Sequence, residues 1–174
     1  MNETLKNLYE RRSVRCFKKE QIKEEELEAI LKAGEYAPSG MNAQSPVMVV
    51  VRDEETLSIL RRLNSSAKPS PGAADPFYGA PTVIVVLTDR RMFTCVEDAS
   101  LVMGNLMNAA QSLGIASCWI HRARETFETD EGKKLLEKWG LDENYIGVGN
   151  CILGYADGEV PKAKPRKEGR IIRA

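Results

Sequence analysis

Histidine is nearly missing from this chain: His121 is the single one among 174 residues. The four cysteines, Cys16, Cys95, Cys118 and Cys151, stand far apart with no C-x-x-C pair. Together these supply no ligand set for a structural zinc ion, and no metal site is expected. A Ser-His-Asp or Cys-His device would have to rest on His121 alone, which reads more simply as a turn or helix-start residue. A disulfide framework is not expected either, since Met1-Asn2-Glu3-Thr4 is too polar and acidic for a signal or transit peptide. The expected location is therefore the cytoplasm. No apolar run approaches the roughly 18 residues of a membrane span. Neither sign of charge is in excess: Lys and Arg total 25, and so do Asp and Glu. A nucleic-acid binder would carry a basic surplus with interleaved aromatics, and neither is found. The phosphate-binding patterns G-x-x-x-x-G-K-[ST] and G-x-G-x-x-G are also missing, so no P-loop or Rossmann site is indicated.

What is present is an ordinary globular composition, 43% apolar and 29% charged. A chain of this length buries roughly 70% of its unfolded surface, enough for a core without staples. One domain over residues 1–174 is expected. A first helix is expected at residues 3–11, with Leu5, Leu8 and Tyr9 on one stripe, followed by an extended piece at 13–17. Leu27, Ile30, Leu31 and Gly34 repeat with helical spacing behind an acidic first turn, which suits the helix dipole. Pro38 ends that helix, and Ser39-Gly40-Met41-Asn42 reads as a loop.

Residues 46–51 lack alternation and are β-branched, so they read as a buried strand. A helix at 54–63, with Leu57, Leu60 and Leu63 inward, precedes a Pro- and Gly-rich loop at 65–81. A second buried strand is expected at 82–87. The longest helix is expected at 97–113, its methionines serving as core filler, with Gly114 as its cap. Strands at 115–120 and 145–155 flank a helix at 130–139. Helices and strands interleave around one sheet, giving an α+β or α/β domain.

Two basic clusters lie at opposite ends of the chain, Arg11-Arg12-Ser13-Val14-Arg15 and Lys162-Ala163-Lys164-Pro165-Arg166-Lys167. Forked arginine donors beside a serine suit a phosphate; a charge run of this kind also forms ordinary solvated surface.

Taken together, ordered segments of the chain resemble the nitroreductase family of FMN-dependent oxidoreductases. Arg11-Arg12-Ser13-Val14-Arg15-Cys16-Phe17 is similar to the family's R-R-S-x-R-x-F. Ala37-Pro38-Ser39-Gly40-Met41-Asn42-Ala43-Gln44 resembles its A-P-S-x-x-N-x-Q. Pro76-Phe77-Tyr78-Gly79-Ala80-Pro81 fits the mid-chain pattern before a β-branched strand. Leu113-Gly114-Ile115-Ala116-Ser117-Cys118-Trp119-Ile120 resembles L-G-x-x-S-C-W-I, and Lys164-Pro165-Arg166-Lys167 matches the basic C-terminal element.

The resemblance implies an α+β fold, a central mostly antiparallel or mixed sheet flanked by helices, and a homodimer with flavin at the subunit interface. It implies that Arg11, Arg12 and Ser13, with Lys164 and Arg166, hold the FMN phosphate. Arg15 would sit by the pyrimidine end of the ring, where a cation favours reduced flavin. Pro38, Ser39, Gly40 and Asn42 would line the ring from the partner subunit. The backbone at Trp119, Ile120 and His121 would approach the N5 edge, with Trp119 either a wall of the site or plain core. Tyr78 is a further candidate wall. Relatives often add a lysine or asparagine from the mid-chain loop, for which this chain offers Asn64 and Lys68. Residues 89–97 leave little room for a covering helical excursion, so an open and permissive site is expected.

The activity implied is ping-pong, two-electron transfer from NADH or NADPH through flavin N5 to a nitroaromatic or quinone-type acceptor. No side chain need act as nucleophile or general base, so no catalytic residue is assigned. Alternatives are a different flavin reaction, such as reductive dehalogenation or flavin fragmentation, and FMN sequestration without turnover.

Overall fold

A computed structural model describes residues 1–67 and 75–174. The helices are α1 (Glu3–Glu10), α2 (Glu24–Glu35), α3 (Glu54–Ala67), α4 (Cys95–Ser112), α5 (Ala123–Glu128) and α6 (Asp130–Lys138). The strands are β1 (Val47–Val51), β2 (Thr82–Asp89), β3 (Ala116–Ile120) and β4 (Tyr145–Gly154). They form one sheet in the order β1-β2-β4-β3, every neighbouring pair antiparallel. The fold is α+β, and of the two sheet types expected it is the antiparallel one.

Strand periodicity explains the layers. Along β2, Val83, Val85 and Leu87 face a core shared with Leu57, Leu60, Phe127, Leu135 and Leu136 of α3, α5 and α6. The alternate residues Ile84 and Val86 face Leu27 and Ile30 of α2 and Met103 and Leu106 of α4. With successive side chains pointing to opposite faces, a strand covered on both sides must be apolar throughout. That is why Thr82-Val83-Ile84-Val85-Val86-Leu87 lacks alternation. Gly114, at φ 74°, follows α4 in the left-handed conformation that closes a helix.

Three expectations need correction. The strand at 46–51 is not fully buried: in β1 only Val51 is, because β1 lies at the sheet edge. The stripe of α1 stays largely open, and none of the helix's residues is buried. The loop expected at 65–81 begins later, because α3 runs on to Ala67. Pro69, Pro71, Gly72 and Lys68 lie outside the described residues.

Candidate functional site

Residues 11–18 leave α1 as an arm stitched between two parts of the sheet. Ser13 pairs with Ser117 and Phe17 with Ala156. The Val14 N–H donates to the Ser117 carbonyl at 3.0 Å, and the Asp157 N–H to the Cys16 carbonyl at 3.0 Å. Val14 and Phe17 are buried, at 5% and 8% exposure, and these two side chains fix the arm. Arg15 is exposed, with its guanidinium carbon 5.9 Å from the centre of the Tyr78 ring.

The arm's cations differ in their commitments. Arg12 folds back, its Nη1 donating to the Tyr9 and Arg11 carbonyls at 2.7 Å each. Arg11 is half-buried, and its Nη1 is buried with no hydrogen-bond partner. A buried donor of this kind wants an anion. Burial pushes the neighbouring Cys151 thiol up to about 12; Cys118 adds to the rise and Arg11 pulls against it. Cys151 is consequently an inert core residue.

The segment Pro38-Ser39-Gly40-Met41-Asn42 is a tight loop with one 3-10 turn, Gly40–Asn42. Met41, Asn42 and Gln44 adopt φ of 51°, 56° and 50°, a left-handed conformation that non-glycine residues hold only when their surroundings enforce it. Asp98 of α4 anchors the start of this turn. It is 3% exposed; its Oδ1 accepts from the Gly40 N–H at 3.0 Å and its Oδ2 from the Thr94 hydroxyl at 2.9 Å. A side chain at position 40 would come within 2.4 Å of Thr94 Oγ1, so glycine is required there by close approach. The Ser39 hydroxyl accepts from the Gln44 N–H at 2.9 Å, and Gln44 Nε2 donates to Asn42 Oδ1 at 3.1 Å. An open cavity of about 940 Å³ lies alongside, lined by Tyr36, Pro38, Ser39, Asn42 and Met48 among others.

At the end of β3, Trp119 is half-buried and packs on the α4 side, against the position where a Gly149 side chain would stand 2.6 Å from its Nε1. This half-buried placement leaves one side of Trp119 in the core and the other open. Ile120 is buried and the His121 side chain exposed. The His121 carbonyl accepts from Asn64 Nδ2 at 2.8 Å. Asn64 belongs to α3 and not to the mid-chain loop, and it is fully buried with Oδ1 unpartnered. Arg122 follows at φ 74° and starts α5, a helix the sequence reading missed.

The pairing of Ser13 with Ser117 thus brings the basic arm to β3, which ends in Trp119 and Ile120 and leads into His121. The 38–42 loop is elsewhere. It enters β1 at the opposite sheet edge and is tied to the first turn of α4, whereas α1 is tied to the last turns by Asn7 Nδ2 donating to the Asn108 carbonyl at 2.9 Å. Ten residues of helix separate those anchors by about 15 Å. Lys164 and Arg166 are exposed, and among the described residues neither makes a hydrogen bond or ion pair. Sequence reasoning missed Asp98, whose signal was an acid within an otherwise apolar helix stripe.

The described residues include no group of three or more His, Cys, Asp and Glu side chains able to hold a metal ion, and no helix long and apolar enough to cross a membrane. A family model described as the nitroreductase family matches residues 8–155. A protein of Archaeoglobus fulgidus, provisionally named an NADH dehydrogenase/NAD(P)H nitroreductase, is 34% identical over 91% of this chain and 88% of its own. The crystal structure of a nitroreductase with bound FMN from Bacteroides fragilis superposes with a TM-score of 0.91, at 33% identity and full coverage of both chains. Oxidized iodotyrosine deiodinase bound to FMN and 3-iodo-L-tyrosine superposes at 0.77, with 26% identity over 98% of this chain and 97% of that one.

Proposed function

The chain belongs to the nitroreductase family, and from that premise we propose that it is an FMN-dependent oxidoreductase that takes electrons from NADH or NADPH. The observation that carries this reading is the stitched arm Arg11, Arg12, Ser13 and Arg15, whose Ser13 pairs with Ser117 of β3, the strand that leads into His121. Arg11 fits the phosphate, since its buried Nη1 lacks an acceptor; Arg12 and Ser13 adjoin it, and Lys164 and Arg166 complete the donor set from the C-terminal tail. Charge-assisted hydrogen bonds of this kind contribute about 1.5–3 kcal/mol each.

When bound, FMN supplies hydride acceptance from a nicotinamide and onward two-electron delivery to a second substrate. The chain's own residues bind and orient. Arg15 offers a cation beside the pyrimidine end. Asn64 fixes the His121–Arg122 peptide by holding its carbonyl, so the peptide plane at the N5 edge is set from the core. Asn64 is fully buried, so it acts through that carbonyl and does not touch the ring.

The loop at Pro38, Ser39, Gly40 and Asn42 serves the partner's site. The two halves of the site are anchored at opposite ends of α4, which supports a site built between two copies. Leu5, Leu8 and Tyr9 of α1, with Val96 and Leu101 of α4, are exposed apolar residues able to bury the contact. Only residues 90–94 join β2 to α4, which favours an open site and broad acceptors such as nitroaromatics and quinones.

The test is anaerobic reduction of the flavin-loaded protein by NADH and by NADPH, followed by acceptor. Reoxidation by a nitroaromatic or quinone, with parallel double-reciprocal lines, supports the ping-pong reading; no reduction by either nucleotide overturns it. The likeness to iodotyrosine deiodinase favours a second reading, reductive dehalogenation. Halide release from an iodophenol by the reduced protein, with nitroaromatics inert, would replace the first reading by the second.

A further inference from the structure

Tyr78 occupies a conformation that its side chain disfavours. Its φ is 54°, in the left-handed region where glycine and asparagine are the usual occupants. The turn around it is pinned from several directions. Asp75 Oδ1 accepts from the Phe77 N–H at 2.8 Å and Oδ2 from the Gly79 N–H at 2.7 Å. The Asp75 carbonyl accepts from the Tyr78 N–H at 3.2 Å, and the Phe77 carbonyl from the Ala80 N–H at 3.0 Å. Phe77 and Ala80 are both at 0% exposure, so the turn is nailed into the core on either side of Tyr78. Arg61 Nε lies 3.6 Å from Asp75 Oδ2 and holds the carboxylate in place. Tyr78 itself is only half-buried: part of its side chain packs along that core and the rest stays open. What the turn does present is the ring, to Arg15 at 5.9 Å.

Arg15 needs such a surface. It is exposed, and among the described residues it has no carboxylate or carbonyl partner, only the Tyr78 ring. An arginine on a free stem samples many rotamers, and a cation that is to act at one point of a bound ring must be restricted beforehand. An aromatic face does this without neutralising the charge, as a carboxylate would.

We infer that Tyr78 is a positioning residue for Arg15: the strained turn holds its ring as a platform that keeps the guanidinium charged and aimed at the flavin. This rests on the reading of Arg15 as the cation beside the pyrimidine end. Because a cation there stabilises reduced flavin more than oxidised flavin, the platform's contribution reads out in the flavin's potential.

The experiment uses the FMN-loaded protein and three variants, Tyr78→Phe, Tyr78→Leu and Tyr78→Gly, each also made with Arg15→Ala. The midpoint potential is measured by dye equilibration, and FMN affinity by fluorescence titration. Tyr78→Leu keeps the backbone strain and removes the ring; Tyr78→Gly relieves the strain and removes the ring, which guards against misfolding as an explanation. Both should weaken binding of reduced relative to oxidised FMN about fivefold, which is about 20 mV more negative for a two-electron couple. Tyr78→Phe should hold the native potential, and in the Arg15→Ala background no Tyr78 variant should shift it further. Native protein that takes up no FMN refutes the underlying flavin reading. Native protein that binds FMN, with unchanged potentials in the Leu and Gly variants or equal shifts with and without Arg15, overturns the role of Tyr78 alone.

Discussion

Arg11 and Asp98 show two opposite fates for a charge withdrawn from water. Asp98 is 3% exposed and satisfied, its carboxylate accepting from Gly40 and Thr94. Asp98→Ala leaves those two donors unpaired and should cost about 1–3 kcal/mol, measured by urea unfolding. Asp98→Asn keeps an acceptor for the Gly40 N–H, and the Thr94 hydroxyl can turn to accept, so it should recover most of that loss. Arg11 has a buried Nη1 with no partner. Its removal should leave the stability of the flavin-free protein unchanged or raised while weakening FMN binding at least about tenfold, the lower end of one charge-assisted bond. Equal losses of stability and affinity in Arg11→Ala would mark the residue as structural.

Among the elements, α2 is docked by a titratable pair. The Tyr155 hydroxyl donates to Glu26 Oε2 at 2.6 Å, and the Lys23 N–H donates to the same oxygen at 2.9 Å. These bonds, the tyrosine's first, hold the Glu26 carboxyl below its ordinary value of 4.5. A lowered native value means that the contribution is complete above that ordinary value and is lost as pH falls through the native one. Tyr155→Phe should therefore lower stability at neutral pH and flatten the acid limb below about pH 4.5, seen in unfolding midpoints. An acid limb as steep as the native one would contradict this.

Legibility differed among the elements for physical reasons. α4, β2 and β4 carry periodicities decided by burial on known faces, and they stand close to where the sequence put them. β1 has the same β-branched composition as β2 but lies at an edge, and composition does not report strand order. α5 was unreadable because Arg122 enters it at φ 74° with no side-chain cap. The arm and the 38–42 loop were legible through their resemblance to a family. Asp98 was not, and Tyr78 was legible only as a candidate wall, since a buried acid and a strained turn acquire meaning only from what they touch.

For the whole molecule, the proposed shared site needs two chains. Val96 and Leu101 on α4 are 36% and 47% exposed and Leu8 on α1 is 48%, an apolar surface left over after the chain has folded. Leu101→Glu should yield a monomer in sedimentation velocity that loses FMN on gel filtration, with helical content preserved. A native protein that sediments as a monomer while retaining flavin would refute the shared site. Whether this chain is built around FMN is read most directly from the visible spectrum of the purified protein and the identity of the chromophore released on denaturation. The expected result is a yellow protein that releases FMN, one per chain. A colourless protein that also fails to take up added FMN would contradict it.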